Sequence, residues 1–204
     1  MSESGKVKIA VLVSGGGTNL GALISAQNEG IIKSGEIVAV ISDREGVYAL
    51  TRAENAGIPH ETLVKKSFPS QQAFDDALDE VLTKYQAEVI VLAGFLSILG
   101  EGFTKKYDKR IINVHPSLIP SFCGKGFYGL RVHEHALARG VKLTGATVHF
   151  VNEIPDGGEI IMQKAVAVEE GDTPEVLQRR VMEQAEWIIL PLSVEKVCAD
   201  KAKK

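Results

Sequence analysis

Residues 7–20 read VKIAVLVSGGGTNL, and the fold follows from how this stretch is divided. Val7 to Val13 is an almost continuous apolar run rich in β-branched residues. Such a run predicts a strand buried on both faces, the habit of parallel sheets covered by helices. SGGGTNL then turns the chain, and a helix is predicted from about Leu20 to Asn28. A glycine-rich loop between strand and helix lets a ligand approach the backbone. The helix start then offers free N–H groups and a partial positive charge to an anion. Thr18 and Asn19 can add side-chain donors. The competing reading is a tight turn that only packs the helix on the strand. The loop is neither a GxGxxG fingerprint nor a Walker loop, which argues against a dinucleotide or a nucleoside triphosphate.

The pattern repeats outward from this unit. Strands are predicted at Glu36–Ser42, His60–Val64, Glu88–Ala93 and Ile111–Val114. Helices are predicted at Tyr48–Ala56, at Gln71–Tyr85 behind a Ser70 cap, and in short form at Gly94–Leu99. Alternation of this kind predicts a parallel sheet with right-handed crossovers. The last third differs. A helix at Val132–Arg139 is followed by strands at Thr144–Val151 and Ile160–Val168, joined through the turn IPDGG, and a long helix begins at Pro174. The expected fold class is α/β: a Rossmann-like, mostly parallel sheet with helices on both faces. The C-terminal hairpin strands are added to the same sheet, and residues 1–204 form one domain.

Composition narrows the function. A chain of 204 residues that is 45% hydrophobic can bury a substantial single core. A net charge of -3 gives no sign of a nucleic-acid-binding surface, and the terminal KAKK is too short to be a basic tail. Cys123 and Cys198 lack CxxC spacing, which suits a reducing cytosol and suggests neither a disulfide framework nor zinc. The polar start, Met1 to Lys8, precedes an apolar run too short for a signal peptide or a membrane span. A cytoplasmic protein with no membrane or nucleic-acid partner is expected, as a monomer or a homodimer.

A second stretch carries the chemistry. In RIINVHPSLIP, Arg110 to Pro120, the apolar strand ends on Asn113 and His115, and Pro116 stops the ladder. Residues two apart on a strand share a face, so an amide and an imidazole project together where the strand ends. Ligands of parallel sheets sit outside the carboxyl ends of the strands, where SGGGTNL also lies. Asp156 of IPDGG reads first as a turn residue. Beside a histidine in need of an orienting carboxylate it becomes a third candidate. His60, His133, His135 and His149 read as surface or core residues, and Trp187 to Leu190 as core.

The motifs VLVSGGGTNL, VLAGFLSIL, IINVHPSLIPSF, TGATVHFV and PDGG resemble the phosphoribosylglycinamide formyltransferase family of folate-dependent formyltransferases. The likeness runs from about Val7 to Pro191. It implies formyl transfer from 10-formyltetrahydrofolate, a co-substrate, to the amine of glycinamide ribonucleotide in purine biosynthesis, with no metal. It implies catalytic roles for Asn113, His115 and Asp156, and ribonucleotide binding at Gly17, Thr18, Asn19 and Glu186. Folate contacts are implied at Gln71, Leu96, Ser97, Ile98, Leu99, Asn113 and Asn152. Family arginines on the folate side fall on Gln71 and Ser97, where the charge is absent. The segment Cys123–His133 is longer than its family counterpart, and its Lys125 and Arg131 are expected to close over the folate instead. Formyltetrahydrofolate hydrolase is the alternative within this chemistry. It is expected to carry an extra N-terminal regulatory domain, whereas the first strand here starts at about Val7. Methionyl-tRNA formyltransferase is expected to add a basic tRNA-holding domain, and this chain is slightly acidic. A non-catalytic nucleotide- or folate-binding protein would keep the glycine loop without needing Asn113, His115 and Asp156 together.

Overall fold

The structure, a computed structural model, describes residues 5–203. Part of the polar N-terminal segment and the last residue of KAKK lie outside that range. The first strand, β1 (Val7–Val13), is followed by α1 (Thr18–Asn28), β2 (Gly35–Ser42), α2 (Tyr48–Asn55) and the short β3 (His60–Thr62). Then come α3 (Gln71–Lys84), β4 (Val89–Leu92), α4 (Glu101–Lys106), β5 (Ile111–His115) and α5 (Leu130–Arg139). The chain closes with β6 (Leu143–Phe150), β7 (Ile160–Ala167), α6 (Pro174–Val181) and α7 (Trp187–Ala202). The strands form one seven-stranded sheet in the order β3-β2-β1-β4-β5-β6-β7. The first five strands are parallel, and β6 and β7 are antiparallel additions, as the hairpin reading expected.

Strand alternation divides the core in two. Val7, Ile9, Val11 and Val13 pack with residues of α1, α2, α5, α6 and α7 on one face. Ala10 and Leu12 pack with Phe74, Leu78 and Leu82 of α3 and Phe103 of α4 on the other. This two-sided burial is why β1 reads as a continuous apolar run.

One helical expectation is corrected. Gly94–Leu99 is a loop, not a helix, and helix α4 starts at Glu101. The loop's backbone groups go to distant side chains instead of to helical partners. Ser14 Oγ accepts from Leu96 N–H at 2.8 Å, and the Ile98 carbonyl accepts from Lys65 Nζ at 2.8 Å and Gln71 Nε2 at 3.0 Å. The long helix expected from Pro174 runs to Ala202, through a π-helical turn at Met182–Glu186 and past Pro191. Proline removes one ladder bond. The helix persists because Leu190, Pro191, Val194 and Cys198 are buried in the core.

Candidate active site

Strand β5 ends where the sheet changes from parallel to antiparallel. The register sets Asn113 opposite His149 and His115 opposite Thr147, on one face. His149 Nδ1 lies 2.8 Å from the Phe150 carbonyl, so that nitrogen carries the proton. Its Nε2 lies 3.2 Å from Asn113 Nδ2 and accepts from it when the ring is neutral; when protonated, the same nitrogen faces Asp156. The second N–H of the Asn113 amide is free for a ligand.

His115 is held from two sides. Its Nε2 donates to the Phe122 carbonyl at 2.8 Å, and its Nδ1 lies 3.5 Å from Asp156 Oδ2. A proton arriving at Nδ1 therefore faces a carboxylate. Burial lowers the His115 pKa, while Asp156 and the Phe122 carbonyl oppose that shift. Burial alone would raise the Asp156 carboxyl. His149, His115 and the Gly124 N–H outweigh it and hold the group below the usual carboxylate range. Gly124 N donates to Asp156 Oδ2 at 2.8 Å, and His149 Nε2 lies 3.5 Å from Oδ1.

Both residues that hold His115 have left-handed backbones, Phe122 at φ 49 and Asp156 at φ 56. That conformation costs about 1–2 kcal/mol for an ordinary L-residue, and such strain gathers at functional sites. IPDGG is thus both a turn and a site. Its last glycine is required for packing, because a Cβ on Gly158 would stand 1.8 Å from the Phe150 carbonyl oxygen.

Two cavities meet at Asn113. The first, of about 600 Å³, is lined among others by Asn19, Asn113, His115, Tyr128, His133, Asp156 and Glu186. Asn19 Nδ2 donates to Glu186 Oε2 at 2.8 Å, and Asn19 Oδ1 is buried without a partner among the described residues. Burial raises the Glu186 carboxyl, partly offset by the Asn19 bond. The second cavity, of about 190 Å³, lies between the loops 95–99 and 151–156 and includes Asn113, His149 and Asp156. Its rim is apolar: Leu96, Ile98 and Ile154 are all exposed.

The structure divides the residues expected in the glycine loop. Gly17 caps α1 at φ 69, and a Cβ there would stand 2.7 Å from Ala49 Cβ. The α1 start has no side-chain cap, so its first N–H groups are available to an anion. Asn19 turns into the first cavity, whereas Thr18 lines a separate one with Arg52 and Trp187. Glu186 arrives from the π-helical turn, a device common at functional sites. Leu96, Ser97, Ile98, Leu99 and Asn152 line the second cavity.

Gln71 does not line the second cavity. Its amide braces Asp75 Oδ1 at 2.7 Å and the Ile98 carbonyl. Ser97 Oγ donates to Asp43 at 2.6 Å. The long segment Cys123–His133 is placed differently from expectation. Phe127, Tyr128 and Gly129 line the first cavity, and Lys125 and Arg131 line neither. Lys65 brings a cation to the 95–99 loop, at the Ile98 carbonyl. His149 and His133 were unremarkable in sequence, since only strand register and helix packing bring them to the site.

A strand-end Asn and His with a turn Asp stand where two cavities meet at the end of a Rossmann-like sheet. The chain belongs to the formyl transferase family, whose model matches residues 7–193. It is 40% identical to the phosphoribosylglycinamide formyltransferase of Haemophilus influenzae over 92% of this chain and 85% of that one. It is 46% identical to the trifunctional purine biosynthetic protein adenosine-3 of Gallus gallus over 97% of this chain. It spans only 19% of that longer relative. The solved glycinamide ribonucleotide transformylase 1 of Symbiobacterium toebii superposes with a TM-score of 0.90 at 40% identity, covering 98% of this chain and 90% of that one.

Proposed function

We propose that this chain transfers the formyl group of 10-formyltetrahydrofolate to the amine of glycinamide ribonucleotide, a step of purine biosynthesis, without a metal. The observation that carries the reading is the Asn113, His115 and Asp156 cluster where two cavities meet. The first cavity takes the body of the ribonucleotide beside Asn19 and Glu186, and its phosphate extends beyond that cavity to Gly17, Thr18 and the α1 start. The second takes the folate between Leu96–Leu99 and Asn152, and places the formyl carbon near Asn113.

The amine attacks the formyl carbon, and negative charge develops on the formyl oxygen. The free Asn113 N–H meets that oxygen. Neutral His115 takes a proton at Nδ1, and the imidazolium formed is stabilised by Asp156 at 3.5 Å. It then gives the proton to the departing folate nitrogen, so that His115 serves as general acid. The test is a spectrophotometric assay of the purified protein with glycinamide ribonucleotide and a 10-formyl folate. Turnover that needs the ribonucleotide is expected. Equal folate release with water alone would mark a hydrolase instead. The same preparation, run on a sizing column, distinguishes monomer from homodimer.

A further inference from the structure

His133 lies in the first turn of α5 and is fully buried. Neither of its ring nitrogens has a hydrogen-bond partner among the described residues, yet it lines the first cavity with Asn19 and Glu186. The other histidines near the site differ: His115 and His149 each have a backbone carbonyl as partner. Burial pushes the His133 pKa down to about 4, and nearby His115 adds to the shift. The ring is therefore neutral in neutral solution, with one N–H donor and one lone-pair acceptor. A buried donor and acceptor left unpaired destabilise the free protein, and an apolar ring would fill the same space without that cost.

We propose that His133 is a specificity residue of the acceptor cavity, with one ring nitrogen hydrogen-bonded to a sugar hydroxyl of the bound ribonucleotide. The proposal rests on the acceptor reading given above. A hydroxyl can accept from the ring N–H or donate to its lone pair, whichever nitrogen faces the cavity, whereas a phosphate dianion can only accept. The α1 start already provides for the anion. His133 does not line the folate-side cavity, so the effect should fall on one substrate only.

The test uses H133F and H133Q in the full chain, with calorimetric affinity, steady-state kinetics and ligand-free thermal melts. H133F is expected to raise Kd and KM for glycinamide ribonucleotide about 3- to 20-fold, the scale of one neutral hydrogen bond lost from a buried site. Its kcat and folate KM should stay close to wild type, and it should melt at or above the wild-type temperature. H133Q, whose amide both donates and accepts, should recover part of the affinity. Unchanged ribonucleotide affinity in H133F would overturn the proposal. So would a lower melting temperature with both substrates weakened together, which marks a structural residue. Should H133F not fold, H133L carries the same test, and failure of both to fold counts as the structural outcome. A wild-type protein that does not bind glycinamide ribonucleotide at all would instead overturn the acceptor assignment beneath it.

Discussion

The two cavities that meet at Asn113 are built in different ways. The first gathers side chains from distant parts of the chain: Asn19 from α1, His133 from α5 and Glu186 from the π-helical turn. Several of its polar atoms are buried without partners among the described residues. The second is shaped by two loops whose own polar side chains are occupied in bracing. Ser97 bonds Asp43, and Asn152 Oδ1 accepts from Ile154 N at 3.0 Å. The difference teaches where substitution is tolerated. A cavity held by side-chain identity loses function when one is changed. A cavity held by loop shape survives exchange of side chains whose job is shared by neighbours.

The largest effect should come from the point common to both. His115→Ala is expected to lower kcat by about 10²–10⁴, the scale of general acid–base catalysis, while both ligands still bind. Near-wild-type turnover would remove His115 from the mechanism and leave the two cavities without a shared centre. Next comes the anion end of the first cavity. A glycinamide riboside lacking the phosphate should show a KM about 10- to 100-fold higher, the scale of charge-assisted hydrogen bonds. An unchanged KM would move the phosphate away from Gly17, Thr18 and Asn19.

The Glu186 carboxyl sharpens the comparison through pH. Its folded-state pKa lies above the ordinary value because of burial. Between the two values the folded state binds more protons than the unfolded chain. The stabilisation is therefore full below the unfolded pKa and lost as pH rises through the folded one. Glu186→Gln keeps a partner for Asn19 and removes the ionisation. The variant should melt above wild type at pH 8, where the wild-type carboxyl is most costly to keep buried. The gap should close in acid. A variant that melts lower at every pH would show that the carboxylate itself is stabilising.

The smallest effect belongs to the loop-built side. Gln71→Ala should change the folate KM by no more than about threefold, because Lys65 still holds the Ile98 carbonyl. A larger change would break the contrast and return Gln71 to direct ligand contact.

Much of this was legible in the chain. Strand β1 announces itself because a doubly buried strand needs an apolar residue at every position. The spacing of Asn113 and His115 announces a shared face because the strand repeat is two residues. Their functional meaning was read largely from family resemblance. A helix expected at Gly94–Leu99 does not form because Ser14, Lys65 and Gln71, distant in sequence, capture that loop's backbone groups. The Cys123–His133 segment was assigned to the folate from its cations. The structure instead turns its aromatic residues toward the first cavity, as packing of Phe127 on His135 helps to fix, with ring centroids 5.0 Å apart.

The sequence by itself determined the periodic elements, the glycine turn and the pair of groups at one strand end, because each depends on neighbours within a few residues. Only the tertiary structure decided that His149 stands opposite Asn113, that Asp156 faces two histidines and that His133 is buried unpaired beside Asn19 and Glu186. Those facts depend on antiparallel register and helix packing. Both are settled by the burial of whole faces against one another, which no local stretch of residues encodes.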